Sequence, residues 1–294
     1  MDLKGRILQT LSGNHFELTV YTTEKCNFRC TYCYESFSIG KMSKDVQNGI
    51  IKLLEKNVPK LNTFSLSFFG GEPLLAMDVI DKIGSFAAQY CKQYDVSMIG
   101  SVTTNGYLLT VDKMRVLTSI GISHFQLSLD GSEEGHNQTR RNINGKGTFN
   151  VIWQNLTMLK CSSLDFKILL RIHVTSHNTL SLRKLISDLN EHILDDRRFS
   201  VFFKPVENLG GDIDKSILLE AKHRAQTIAE LTALVKKKQD VSSSLSNVPS
   251  LNVCYASKPN SFAIRADGRV QKCTVRLEDS RNTVGRINEE GDLN

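Results

Sequence analysis

The stretch HFELTVYTTEKCNFRCTYC, residues 15–33, decides how the rest of the chain is read. Phe16, Leu18 and Val20 alternate with polar residues, the pattern of a strand with one face in a core. The strand delivers the chain to Cys26, Cys30 and Cys33, spaced C-x-x-x-C-x-x-C. A short loop can curl three thiolates towards one centre, and soft sulfur suits zinc or an iron–sulfur cluster better than a hard cation. Structural zinc usually takes four protein ligands in two separated pairs, so a triplet leaves one position open for a substrate or cofactor. The same residues also fit scattered small apolar side chains, a disulfide, or a Cys30–Cys33 redox pair with Cys26 incidental.

Beyond the loop the chain alternates regularly. Ser43 stands as an N-cap before Val46, Ile50, Ile51, Leu53, Leu54 and Val58, which recur at helical spacing until Pro59. Phe64, Leu66, Phe68 and Phe69 form a strand ending on Gly70-Gly71-Glu72-Pro73, followed by a helical stripe from Val79 to Tyr90. Strands follow at 96–104, ending on Asn105-Gly106, at 122–130, ending on Gly131, at 166–175, and at 199–205, ending near Gly210-Gly211. Helices fall at 111–119, 148–160, 180–194 and 216–238. Six strand–helix units imply a parallel sheet covered by helices. An open doubly wound sheet fits, but polar motifs at several strand ends favour a barrel, whose site is built from many strand ends at once. The expected fold is therefore α/β, a partial (β/α)6 TIM-like barrel over residues 1–240, with a linker and a small C-terminal β-hairpin appendage over 241–294. Ser242 to Ser246 and Pro249 read as the linker. Asp267-Gly268 reads as a tight hairpin turn between Ile264 and Val270, and Glu290-Gly291 as a second turn.

Composition narrows the class. The 294 residues are 40% hydrophobic, enough for a large core. Net charge is +6, from 37 basic and 31 acidic residues that are interspersed. Lys236 to Lys238 is a basic run that reads as a solvated helix end, since nucleic-acid footprints cluster on one face with aromatics nearby. Asp2, Lys4 and Arg6 interrupt the N-terminus without an apolar h-region, and no apolar run approaches the roughly 18 residues of a spanning helix. The expectation is a cytoplasmic protein with no nucleic-acid or membrane partner, whose thiols stay reduced unless they hold a metal.

Several side chains keep two readings. Gly70 and Gly71 let a ligand approach the backbone and Pro73 suits a helix start, which fits a cradle for an amino group or an ordinary strand-to-helix turn. His136 and His173 read as substrate contacts or as structural histidines. Lys204 and Glu207 lie where a substrate opening would be. Cys91 and Cys161 read as core residues.

The cysteine triplet after the first strand, Tyr32 immediately before its third cysteine, and Gly70-Gly71-Glu72-Pro73 after the second strand together resemble the radical S-adenosylmethionine (radical SAM) superfamily. Ser128-Leu129-Asp130-Gly131, His136, Arg140 and Gly145-x-Gly147-Thr148-Phe149 resemble its peptide- and protein-modifying branch, with SPASM or twitch extensions. That resemblance implies a 4Fe-4S cluster on Cys26, Cys30 and Cys33, with S-adenosyl-L-methionine (SAM) on the unliganded iron. One electron, from a donor such as flavodoxin or ferredoxin, cleaves SAM to methionine and a 5′-deoxyadenosyl radical that takes a hydrogen atom from the substrate. It places Tyr32 near the adenine, the Gly70–Pro73 motif at the methionine amino group, and Ser128 and Asp130 near the ribose, with Asn105 and Arg140 as further contacts. Arg171 would pair with the SAM carboxylate, or serve a structural ion pair. Cys254, Gly268 and Cys273 resemble the opening of a SPASM or twitch module that binds an auxiliary iron–sulfur cluster. Two cysteines do not complete that site, so a fragment, a degenerate module, a noncysteine ligand and inert hairpin cysteines stay open. The expected enzyme modifies a peptide or protein in ribosomal peptide maturation, by cross-link, oxidation or epimerisation. Sulfatase maturation is the alternative within this chemistry. A noncatalytic iron–sulfur or zinc redox sensor is the rival from another class, and it would need the cysteines but not Gly-Gly-Glu-Pro.

Overall fold

The computed structural model describes residues 12–210, 213–236 and 253–294. Its elements in chain order are β1 (His15–Thr23), β2 (Phe28–Cys30), α1 (Lys44–Asn57), β3 (Thr63–Gly70), α2 (Met77–Gln93), β4 (Ser97–Thr104), α3 (Val111–Ser119), β5 (Ile122–Leu129), α4 (Glu133–Thr139), β6 (Arg140–Asn142), α5 (Phe149–Lys160), β7 (Lys167–Val174), α6 (Thr179–His192), β8 (Phe199–Pro205), α7 (Ala221–Ala233), β9 (Ser261–Ile264), β10 (Arg269–Gln271) and β11 (Thr283–Arg286). Leu18 and Val20 of β1 are buried, as are Leu66, Leu127, Leu170 and Val201 on the strands that follow. Ser43 caps α1 as its sequence predicts, its side chain accepting from the Val46 N–H. Ile50, Leu53 and Leu54 then seat the apolar face of α1 in the core.

The large sheet has nine strands in the order β11-β10-β9-β1-β3-β4-β5-β7-β8. From β1 to β8 every neighbouring pair is parallel, so six β/α units curl into a partial barrel whose strand C-termini share one mouth. Among the described residues β8 does not pair with β1, and the barrel stays open.

Local departures from the sequence reading have physical causes. The C-terminal turn at Asp267-Gly268 forms, with Gly268 at φ +86°, and so does the one at Glu290-Gly291, with Gly291 at φ +80°. The strands around them are not a free-standing hairpin, however: β9 adds parallel to β1, pairing Glu17 with Ser261 and Val20 with Ile264. β2 and β6 form a separate two-stranded ribbon of three residues each, too short for periodicity to signal. The long helix expected at 216–238 begins as a 3₁₀ turn (Lys215–Ile217), breaks, and resumes as α7. Cys91 is buried as expected, but Cys161 sits at the exposed C-cap of α5. The N-terminal reading over residues 1–9, Gly211, Lys237, Lys238 and the linker at Ser242 to Pro249 lie outside the described residues.

Candidate active site

Two strand ends interlock to hold the thiol loop. The Gly71 N–H donates to the Thr23 carbonyl at 3.2 Å and the Glu72 N–H to the Lys25 carbonyl at 3.0 Å. A Cβ on Gly70, at φ +121°, would fall 2.1 Å from the Thr23 carbonyl oxygen, and one on Gly71 would fall 2.6 Å from that of Lys25. These glycines are therefore required by the backbone immediately before Cys26. Within the loop, the Phe28 N–H donates to Cys26 Sγ at 3.3 Å and the Cys33 N–H to the Cys30 carbonyl at 3.1 Å. Pairing of Cys30 with Arg140 across β2 and β6 clamps the loop from outside.

All seven cysteines are free thiols, which removes the disulfide reading. Among the described residues no three His, Cys, Asp or Glu side chains converge on a point suited to a single metal ion. Soft thiolate donors suit an iron–sulfur cluster, whose irons are held by cysteine thiolates. Burial pushes the Cys26 thiol up to about 12 and Cys33 to about 11, so these groups ionise only when a metal's charge compensates.

Beneath the loop lies a polar knot centred on Tyr32. Its hydroxyl donates to Asp130 Oδ2 at 2.6 Å, accepts from Arg140 Nη1 at 2.9 Å, and faces His173 Nδ1 at 3.2 Å. Asp130 also accepts from Thr139 Oγ1 at 2.7 Å and from His173 Nδ1 at 3.1 Å. Burial pushes Asp130 up, but the hydrogen bond from His173 and the charge of Arg140 outweigh it and hold the carboxyl well below the usual range. Burial lowers His173, whose neutral ring donates through Nδ1. His136 is fully buried, and burial together with Arg140 brings it down to about 3. It accepts from the Asp130 N–H at 3.4 Å and shares a 3.0 Å hydrogen bond with Thr148 Oγ1, so it is structural.

Glu72 serves the same architectural purpose. Fully buried, it accepts from the Leu74 N–H at 3.0 Å, the Asn105 N–H at 2.7 Å and Thr104 Oγ1 at 2.8 Å. Asn105 in turn donates through Nδ2 to Asn27 Oδ1 at 2.8 Å, tying the third strand end of the barrel to the thiol loop.

A cavity of about 520 Å³ opens over the loop at the barrel mouth. Of the residues singled out in the sequence, Cys26, Cys30, Cys33, Tyr32, Gly70, Gly71, Asn105, Ser128, Arg140 and Arg171 meet on its wall, with His173, Lys204 and Glu207. Glu72, Pro73, Asp130, Cys254 and Cys273 lie behind it or outside it. Arg171 Nε is buried with no hydrogen-bond partner, an opening for a ligand's anionic group. Lys204 and Glu207 pair with each other at 2.9 Å.

Sequence reasoning missed three carboxylates and a clamp. Glu35 lines the cavity, and burial, reinforced by the charge of Glu24, pushes it up to about 8. Glu24, two residues before Cys26, forms a buried bidentate ion pair with Arg265, at 2.9 Å for the Nε–Oε1 contact. Glu17, also on the cavity wall, pairs with Lys258. On the other flank, the hydroxyls of Tyr21 and Tyr34 donate to the Thr274 carbonyl at 3.1 and 3.2 Å. Tyr255 Oη lies 2.7 Å from Thr274 Oγ1. The C-terminal segment thus grips the thiol loop on both sides, and Cys273 precedes Thr274 in it, held through its N–H by Asn282 Oδ1 at 2.7 Å. An acid on an apparently irregular stretch was the available signal, but it carries no partner in sequence.

A family model described as the Radical SAM superfamily matches residues 20–189. The cysteine-type anaerobic sulfatase-maturating enzyme of Clostridium novyi (strain NT) is 30% identical over 160 residues, 50% of this chain and 41% of that protein. The chain's match therefore spans about two fifths of that relative. The GTP 3′,8-cyclase of Trichodesmium erythraeum (strain IMS101) is 25% identical over 297 residues, 92% of this chain and 83% of that enzyme. Among solved structures, native anSMEcpe with bound AdoMet superposes with a TM-score of 0.70 at 20% identity, covering 94% of this chain and 78% of its own. Streptococcus suis SuiB bound to its precursor peptide SuiA gives 0.61 at 15% identity, covering 99% and 66%. At these identities both structures speak to the fold alone, and both share the partial barrel.

Proposed function

This chain belongs to the radical SAM superfamily, and from that premise we propose that it modifies a peptide or protein side chain by hydrogen-atom abstraction, in ribosomal peptide maturation. The observation that carries the reading is the convergence, on one cavity wall, of three free thiols, the Gly70-Gly71 backbone and the unpartnered Arg171 Nε. The donor set fits a 4Fe-4S cluster on Cys26, Cys30 and Cys33. When bound, cluster and SAM supply reductive cleavage to a 5′-deoxyadenosyl radical.

The chain's own residues hold and shield. Backbone groups of Gly70 and Gly71 receive the methionine amino group, and Arg171 takes its carboxylate through a planar guanidinium. Ser128, Asn105 and the ring of Tyr32 contact the nucleoside side. Arg140, Asp130, His173 and Glu72, with Pro73 starting the turn beyond it, fix these groups from behind, which preserves geometry when the site closes to water. The electron comes from a flavodoxin or ferredoxin in a reducing, cytoplasmic setting; no helix among the described residues is long and apolar enough to cross a membrane. An auxiliary cluster at Cys254 and Cys273 belongs to the same proposal, as does the division into a core, 1–240, and a C-terminal segment, 241–294.

A peptide fits this cavity better than a nucleotide. Titles of solved neighbours name the Cp18Cys peptide for anSMEcpe and SuiA for SuiB. The cyclase relative is named for GTP, but a triphosphate needs a strongly cationic cradle. Here Lys204 is already paired with Glu207 at 2.9 Å, which leaves Arg140 and Arg171 as the cations on the wall. Sulfatase maturation is a second reading, favoured by the 30% identical relative of that name.

The test is anaerobic. Reconstituted protein with SAM and dithionite is given perdeuterated peptides, one set encoded beside its gene and one taken from sulfatase active sites. Deuterium transferred into 5′-deoxyadenosine from the first set supports peptide maturation, and from the second, sulfatase maturation. Transfer from neither, with GTP accepted instead, would refute the peptide reading.

A further inference from the structure

Three carboxylates line the cavity among the described residues: Glu17, Glu35 and Glu207. Two are already matched. Glu17 accepts from Lys258 Nζ at 2.5 Å and from His15 Nε2 at 3.0 Å, and Glu207 pairs with Lys204. Glu35 is different: its Oε2 is shut off from solvent and has no hydrogen-bond partner. The guanidinium whose charge acts on it, Arg265, is committed to both oxygens of Glu24, to the Leu277 carbonyl at 3.1 Å and to Glu278 at 3.1 Å. The Glu35 backbone N–H is held by the Cys33 thiol.

A buried carboxylate without a donor is unfavourable, and folds keep such groups where a ligand completes them. The missing partner comes from the cavity, and a cation suits it best, because its charge offsets the burial that opposes the carboxylate form and charge-assisted bonds are the strong ones. On the wall the Nε atoms of Arg140 and Arg171 are similarly unmatched, but Arg140 is engaged with Tyr32 through Nη1 at 2.9 Å, and the proposed function gives Arg171 the SAM carboxylate. Resting on that proposed function, we infer that Glu35 is the recognition group for a cation of the substrate, so the preferred peptides present a lysine, an arginine or a free N-terminal amine beside the reacting residue. Glu35 shares the cavity wall with Tyr34, whose hydroxyl donates to the Thr274 carbonyl at 3.2 Å.

The experiment uses immobilised, reconstituted full-length chain with SAM, challenged anaerobically with randomised decapeptide pools. One pool is N-acetylated and contains lysine and arginine; a second replaces them by norleucine and citrulline; a third is the second without the acetyl group. Retention of the first pool over the second by about tenfold or more supports a side-chain cation, a single charge-assisted contact being worth that much. Retention of the third alone supports an N-terminal amine. Glu35→Gln should abolish whichever preference is found, and Glu35→Asp, which keeps the charge, should retain a reduced one and decides the matter if Glu35→Gln fails to hold iron. No preference in the wild type overturns the inference, as does a preference that survives Glu35→Gln, or a loss of SAM affinity in that variant with the preference intact. If the wild type forms no 5′-deoxyadenosine, the proposed function itself has failed; if it does and shows no preference, only the assignment of Glu35 has.

Discussion

Removing Arg265 should destabilise the whole chain although it lies 239 positions after Cys26. Its side chain is 1% exposed and that of Glu24 is 2% exposed. Arg265→Met leaves the Glu24 carboxylate buried without its partner, whereas the Leu277 carbonyl keeps the Gln271 Nε2 donor at 2.9 Å and the Glu278 contact, with that side chain 64% exposed, contributes little. The loss is then dominated by the orphaned charge, about 3–5 kcal/mol. With an unfolding entropy of about 2.1 cal/mol/K per residue, a chain of this length unfolds with roughly 0.6 kcal/mol/K, so Tm should fall by about 5–8 °C. The assay is calorimetry of the metal-free, reduced protein, so that iron binding does not enter. Combining Glu24→Leu with Arg265→Met removes both charges and should recover most of the loss, a coupling of about 2 kcal/mol or more. A drop below about 2 °C for Arg265→Met, or single losses that simply add, would refute the view that this pair holds the C-terminal segment to the thiol loop.

Further outcomes follow from the same contacts. Gly70→Ala should cost more than about 2 kcal/mol in urea unfolding, through both backbone strain and collision with Thr23; Gly145→Ala, at φ +74° with nothing within 4 Å, should cost only about 1 kcal/mol. Tyr32→Phe strips Asp130 of a donor and Arg140 of an acceptor, and should lose about 1–3 kcal/mol by the same measurement. His136 has a folded value near 3 against an ordinary 6.5, so below pH 6.5 the unfolded chain binds a proton that the folded chain does not. Stability should therefore fall with acid by up to ~1.4 kcal/mol per pH unit from this group, and His136→Gln should flatten the Tm profile between pH 7 and 5.

Much of the architecture was legible because it is written in local signals. Ser43 marked a helix start, Phe16, Leu18 and Val20 marked a half-buried strand, and regular alternation implied the parallel order from β1 to β8. The β2–β6 ribbon was not, since three-residue strands carry no period and are defined only by pairing between Phe28 and Asn142. Nor was the docking of β9 on β1, which depends on partners far apart in sequence such as Glu24 and Arg265. In the site, position in sequence identified strand ends but not which way each side chain turns. Gly70, Gly71, Ser128 and Arg171 face the cavity, while Glu72 and Asp130, from equally suggestive motifs, turn away and bind the scaffold. Glu35 went unnoticed because its significance is a missing partner, and only coordinates reveal an absence of that kind.

The decisive measurement is 5′-deoxyadenosine formed anaerobically from SAM and dithionite by the iron-reconstituted chain, alongside its Cys30→Ala variant. The geometry of the thiol loop predicts product from the wild type, no product from the variant, and a low-temperature electron paramagnetic resonance signal of the reduced cluster that changes when SAM is added. A reduced cluster whose signal ignores SAM and yields no 5′-deoxyadenosine, or equal turnover by Cys30→Ala, would contradict it.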